Sequence, residues 1–193
     1  MQVVDVTGND IENYASSLYD YLVGRGVPLD DVVVLGVASG GVPIAEKVRD
    51  RLSLNGHSPH FREVVCRRPF TKVKKESYLS SIFLSVLKAM PRFMLDLMRV
   101  VEHAVNSRKR TVGREVVFSE AFSDAETVII VDDAVDSGYS LKRVFDEVKA
   151  MSSSNIIITS AYVVTQENPV FHPDFVVLEK SLARFPWSLD ARK

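Results

Sequence analysis

Val128-Ile-Ile-Val-Asp-Asp-Ala-Val-Asp-Ser-Gly-Tyr-Ser-Leu141 is the stretch on which the reading of this chain turns. Val128 to Val131 is an unbroken apolar run, too short for a helix and long enough for a strand buried on both faces. Asp132 and Asp133 then place adjacent carboxylates at the strand's carboxyl end, the edge at which open α/β sheets bind ligands. Asp132 to Ser140 reads as a loop in which Ser137, Gly138, Tyr139 and Ser140 offer hydroxyls and pliable backbone. Leu141, Val144, Phe145 and Val148 follow at helical spacing. A loop entering a helix N-terminus suits a phosphate, because unpaired amides and the helix dipole both favour an anion. Carboxylates beside such a cradle would repel a bare phosphate. They fit if they grip hydroxyls or a cation, as a sugar phosphate with Mg2+ requires.

Upstream, Val32 to Leu35 is a second buried run, and it ends in Gly36-Val-Ala-Ser-Gly-Gly-Val-Pro43. Consecutive glycines let backbone amides approach an anion closely. Pro43 is predicted at the first helical position, which proline favours, with Ile44 to Leu52 continuing the helix. Nearer the start, Asn9 with Glu12 three residues on predicts a helix cap. Ile11, Tyr14, Ala15, Leu18, Tyr21 and Leu22 follow at helical spacing, and Gly24 and Gly26 close that helix. Ser58 to Val65, Ile156 to Val164 and Phe175 to Leu178 read as further strands. Strands alternating with helices predict an α/β fold, a mostly parallel twisted sheet flanked by helices.

The chain's 193 residues, 46% hydrophobic and 25% charged, suit one domain over 1–193 with a sizeable core. Cys66 is the sole cysteine, so no intrachain disulfide can form. Met1 to Thr7 lacks the charged start and apolar run of a secretory signal, and a cytoplasmic location is expected. The net charge of −1 hides a basic block: Arg62 to Arg114 holds 13 Lys or Arg against 4 Asp or Glu. A negatively charged partner and a solvated helical face both fit that surplus. Aromatic residues for base stacking are sparse in it, so no nucleic-acid partner is expected.

Within the block, Leu79, Phe83, Val86, Met90, Met94, Leu97 and Val101 step by three and four, the mark of one helical face. They predict a basic amphipathic helical insertion at about 70–112, kinked at Pro91 and serving as a hood or a homodimer interface. A membrane-surface contact also fits such a helix. Lys88, Arg92, Asp96 and Arg99 exclude a membrane span. The four histidines, His57, His60, His103 and His172, lack metal-ligand spacing.

The run from Val128 to Leu141 resembles the signature of type I phosphoribosyltransferases: an apolar strand, two acidic residues, a short variable part and a Thr/Ser-Gly-x-Thr/Ser loop. The resemblance implies phosphoribosyl pyrophosphate and a nitrogenous base as substrates. It places Asp132 and Asp133 on the ribose hydroxyls and, directly or through water, on Mg2+. Asp136 to Ser140 would wrap the 5′-phosphate, with contacts from Ser137, Gly138, Tyr139 and Ser140. Gly36 to Pro43 resembles the pyrophosphate loop, which assigns that group to Ala38, Ser39, Gly40 and Gly41. Purine members often carry Arg or Lys where this chain has Ser39.

Asp136 lies where 6-oxopurine members place a carboxylate near the base N7, which implies catalytic proton exchange and a role in purine salvage. Phe185-Pro-Trp187 resembles the close of xanthine–guanine enzymes, so Leu182, Phe185 and Trp187 are the implied base contacts. Leu182 stands where those enzymes carry a stacking aromatic ring, and Asn168 where they carry a lysine. Ser77 and Tyr78 match a remnant of the family's mobile flap. The resemblance covers roughly Val32 to Val65 and Thr127 to Trp187. It leaves open a non-catalytic regulator that binds phosphoribosyl pyrophosphate.

Overall fold

The computed structural model describes residues 1–67, 91–92, 94–97, 100, 115–120, 125–151, 156–188 and 191. Strand β1 (Gln2–Asp5) leads into helix α1 (Gly8–Gly24), strand β2 (Val32–Ala38), helix α2 (Gly41–Leu54) and strands β3 (His60–Arg67) and β4 (Glu115–Phe118). Strand β5 (Thr127–Val135), helix α3 (Tyr139–Met151) and strands β6 (Ile156–Val164), β7 (Phe175–Glu179) and β8 (Ser181–Arg184) follow. Six strands form one sheet in the order β4-β3-β2-β5-β6-β7, and only the β3–β4 pair is antiparallel. This is the predicted α/β fold. Strands β2 and β5 lie centrally and are buried along most of their length, which explains their unbroken apolar runs.

The core has two halves. Ile11, Tyr14, Leu18 and Leu22 of α1 and Ile44, Val48 and Leu52 of α2 pack with Val32, Val34, Ile129 and Val131. Leu141, Val144 and Val148 of α3 join Val33, Leu35, Val128 and Ile130 in the other cluster. Alternate strand residues thus serve opposite clusters, as a period of two dictates. Because β2, β5 and β6 run parallel, their carboxyl ends reach one edge of the sheet.

Several boundaries differ from the predictions. Helix α1 is capped by Thr7 rather than Asn9: Asp10 N donates to Thr7 Oγ1 at 3.3 Å and Thr7 N to Asp10 Oδ2 at 2.8 Å. Both positions have a suitable side chain and an acid three residues on. Thr7 wins because β1 delivers it in extended backbone, φ −98° and ψ 169°, directly at the helix entrance. Helix α2 begins at Gly41, so Pro43 is its third residue, still in the first turn where no intrahelical donor is needed. Strand β3 starts two residues later than predicted and runs on to Arg67.

The largest difference lies in the diagnostic stretch. Strand β5 continues through both aspartates to Val135, and α3 starts at Tyr139, which leaves Asp136 to Gly138 as the loop. Pairing with β6 carries the strand past the charges, with Asp132 opposite Ala161 and Ala134 opposite Val163.

Strands β1 and β8 form a separate parallel pair, Gln2 opposite Ser181 through Asp5 opposite Arg184, which joins the two ends of the chain. Most of the insertion at 70–112, with Ser77, Tyr78 and the apolar positions from Leu79 to Met90, lies outside the described residues. Residues 94–97 are helical. There Leu95 is buried, whereas Met94 and Leu97 of the predicted apolar face are exposed. Ion pairs from Asp96 to Arg184 and from Arg92 to Asp5 set that orientation in place of the apolar stripe.

Candidate active site

Two glycines bring the two predicted loops together. A Cβ on Gly40 would fall 1.9 Å from Asp133 Oδ2, and one on Gly41 would fall 2.5 Å from the Val131 carbonyl oxygen and 2.9 Å from Asp132 Cα. Bare backbone at both positions lets the turn after β2 nest against the end of β5; at Gly41 the obstacle to a Cβ is backbone, at Gly40 the end of a side chain. Ala38, Ser39, Gly40 and Gly41 therefore lie beside the acidic pair. The Ala38–Ser39 peptide bond is cis.

Asp132 is buried, and its Oδ1 accepts the Asp133 amide at 2.9 Å. Asp133 is half-buried against Gly40. Burial pushes its carboxyl above the usual aspartate range, against hydrogen bonds from the Asp132 side chain, the backbone and the Trp187 side chain.

The loop from Asp136 to Gly138 owes its shape to Gly138, whose φ of +80° strains any residue with a side chain. A Cβ there would also stand 2.5 Å from the Phe171 carbonyl oxygen. Val170 N donates to Ser137 O at 2.9 Å, and Lys142 N donates to Gly138 O at 2.9 Å as α3 begins. Ser137, Gly138, Tyr139 and Ser140 thus lie at the entrance of α3, where an anion is favoured. Asp136 is tied to the end of β6: Thr165 Oγ1 and Gln166 Nε2 each donate to its Oδ1 at 2.9 Å. Sequence reasoning missed these two partners, since only sheet register brings residues 29 and 30 positions away to the loop.

The phosphoribosyl transferase domain model matches residues 7–191. The chain belongs to that family. Its fold is similar to that of a purine phosphoribosyltransferase from Pyrococcus horikoshii, with a TM-score of 0.61 and 19% identity over 97% of this chain and 95% of that one. It is also similar to the Helicobacter pylori xanthine-guanine-hypoxanthine phosphoribosyltransferase, with a TM-score of 0.60 and 12% identity over 98% and 95%. A Trypanosoma cruzi hypoxanthine phosphoribosyltransferase gives 0.52 and 13% over 88% and 65%. No curated protein matches the chain by sequence. The type I resemblance carried by Val128 to Leu141 is thereby established for the chain.

The three implied base contacts of this phosphoribosyltransferase domain part company. Leu182 is buried on β8. Phe185 is buried in the core, edge-on to Tyr162 at 5.5 Å and 80°. Trp187 stacks flat on Phe185 at 4.9 Å and 6°. Asn168, at the family's lysine position, is exposed, and Gln166 rather than Asn168 meets Asp136.

Among the described residues no group of three or more His, Cys, Asp or Glu could hold a metal ion. Asp132 and Asp133 alone offer too few oxygens for a closed cage. That donor set fits Mg2+ carried in by a phosphate ligand, with one or two carboxylates completing its shell. Among the described residues no helix is long and apolar enough to cross a membrane.

Proposed function

We propose that this chain transfers phosphoribose from phosphoribosyl pyrophosphate to a nitrogenous base, a 6-oxopurine, and releases pyrophosphate. The observation that carries the reading is the packing of Gly40 and Gly41 onto Asp133 and Asp132. In the donor, the pyrophosphate leaves from C1′, next to the 2′ and 3′ hydroxyls. A site for it needs anion-binding amides and hydroxyl-binding carboxylates side by side, and side-chain-free residues at 40 and 41 bring them that close. The names of the Pyrococcus and Helicobacter neighbours support a purine acceptor.

In this reading Asp132 and Asp133 accept hydrogen bonds from the ribose hydroxyls. The amides from Gly138 to Ser140 and the α3 dipole hold the 5′-phosphate. Amides of Ala38 to Gly41 take the pyrophosphate. As the C1′–oxygen bond breaks, positive charge grows on the sugar and negative charge on the leaving group, so fixed donors at the pyrophosphate lower the barrier. Asp132 and Asp133 would hold Mg2+ directly or through water, and the ion would supply charge neutralisation to the leaving group. The base nitrogen forms the new bond to C1′, and the base's proton passes to Asp136, which Thr165 and Gln166 orient.

The test is pyrophosphate release with hypoxanthine, guanine and xanthine, measured beside calorimetric binding of the donor. Asp136→Asn is expected to lower turnover by about 10²–10⁴ with donor affinity nearly unchanged. Wild-type turnover that survives in Asp136→Asn rejects the proton-transfer role. Tight donor binding without turnover on any base identifies a regulator instead.

A further inference from the structure

Two side chains from the exit of β6 hold Asp136, and they are not equivalent. Thr165 is buried, with its N donating to Val135 O at 2.9 Å and its Oγ1 donating to Asp136 Oδ1 at 2.9 Å. Those two bonds already fix the carboxylate against the end of β5. Gln166 is half-buried, and its Nε2 is a second donor to the same oxygen at 2.9 Å. A carboxylate only accepts, so the carboxamide turns its nitrogen rather than its oxygen toward Asp136. That bond uses one of the two amide hydrogens. The second N–H and the carbonyl oxygen Oε1 belong to the same rigid plane, beside the group assigned above to the base's proton.

In a purine, N7 and the substituent on C6 share one edge. A 6-oxo group presents an acceptor there and a 6-amino group a donor. A lysine ammonium offers donors only and so matches the oxo group, whereas a carboxamide offers a donor and an acceptor. We infer that Gln166 reads the 6-substituent of the acceptor base and admits 6-aminopurines as well as 6-oxopurines. Oε1 accepts from an amino group, or the second N–H donates to an oxo group, and the bond to Asp136 survives in both cases. The inference rests on the transferase reading, with Asp136 as the proton acceptor, and widens its acceptor class. The chemistry balances alike for both bases. N9 bonds to C1′, pyrophosphate leaves with the electron pair of the C1′–oxygen bond, and the N7 proton passes to Asp136.

The test compares pyrophosphate release with adenine and with hypoxanthine, which differ in the 6-substituent and the N1 proton that goes with it. Wild type, Gln166→Lys and Gln166→Met are measured. In wild type the two kcat/KM values are expected within about tenfold of each other, near the low end of what one misread base edge costs. The donor-only ammonium of Gln166→Lys should lower the adenine-to-hypoxanthine ratio by roughly 5- to 150-fold. Gln166→Met lacks both groups and should weaken the two bases alike. A residue that merely orients Asp136 would also affect both bases alike in Gln166→Lys, so an unchanged ratio there overturns the inference. A wild type that prefers hypoxanthine by more than about tenfold overturns it too, and that result needs no variant to fold. If hypoxanthine turns over while the ratio does not respond, only the role of Gln166 fails. If wild type binds the donor and transfers to neither base, the transferase reading fails and takes the inference with it.

Discussion

At the scale of single residues, Asp133 carries the sharpest conflict between stability and ligand binding. Gly40 crowds it, and burial raises its affinity for a proton. An acid whose folded-state pKa is raised favours folding fully only below its unfolded value, here 3.8. That contribution is lost as pH rises through the folded-state value, and above it the buried charge opposes folding. Asp133→Asn is therefore expected to stabilise the protein by about 0.5–2 kcal/mol near neutral pH. The gain should vanish below about pH 4, where aspartate is protonated too. The same change should weaken ribose 5-phosphate binding by ~1.5–3 kcal/mol, the worth of a hydrogen bond to a charged group. Thermal unfolding followed across acid to neutral pH, with calorimetry alongside, checks both signs. A variant less stable than wild type at neutral pH would contradict the burial argument. The identity of Asp132, Asp133 and Asp136 as a set was legible in the sequence because they are contiguous with one strand. The partners of Asp136, Thr165 and Gln166, were not, since both follow another strand.

At the scale of elements, two glycines make opposite predictions. The atoms crowding Gly40 belong to the far end of the Asp133 side chain, which can move aside. Gly40→Ala should therefore keep nearly full stability and lose donor binding, because the displaced group is the carboxylate proposed to hold the ribose. The atoms crowding Gly138 are the backbone of Phe171, and its φ is +80°. Gly138→Ala should cost about 1–3 kcal/mol of stability and disturb 5′-phosphate binding as well. Urea denaturation and phosphate titration on the two variants separate the cases. A strongly destabilised Gly40→Ala would show that the turn after β2 cannot yield.

Thr7 offers a third check at this scale. Its side-chain hydrogen bond, then its backbone one, hold the Asp10 carboxyl below the usual aspartate value of 3.8. This contribution is present above that value and fades as pH falls through the lower folded-state pKa. Thr7→Ala should destabilise the protein by ~0.5–2 kcal/mol near neutral pH, toward the low end because the cap is exposed, and by less in acid. Equal destabilisation at both pH values would deny Asp10 its part in the cap. The elements that escaped the sequence reading, β1, β4 and β8, are each four residues long. A four-residue strand has too few alternations to stand out, and the pairing partner, not its own pattern, makes it a strand.

At the scale of the molecule, Arg184 joins three distant parts of the chain. Its guanidinium is buried, with NH1 donating to Asp5 Oδ1 at 2.5 Å and NH2 donating to Asp96, while Arg92 stands 3.3 Å from Asp5. The network borders a cavity of about 280 Å³ lined also by Val6, Leu95 and Phe185. Arg184→Met leaves two carboxylates without their shared cation. The loss should lie below the ~3–5 kcal/mol typical of breaking a fully buried pair, since Asp5 and Asp96 retain access to water. Arg92→Ala, which removes a pair between exposed groups, should cost no more than about 1 kcal/mol. Urea midpoints for the two variants test the ranking, and an Arg92→Ala loss equal to that of Arg184→Met would overturn it.

The order of buried strands and helices, the two glycine-bearing turns and the acidic pair were all determined by the sequence alone. Each of those signals is local: an apolar run, a helical period, or glycine where backbone must come close. The continuation of β5 through its charges, the cap at Thr7, the burial of Leu95 rather than Met94 and Leu97, and the meeting of Thr165 and Gln166 with Asp136 were decided only by tertiary structure. The reason is that a strand's end, a helix's phase and a side chain's partner depend on what packs opposite. For Asp136, those partners lie 29 and 30 positions away in the chain.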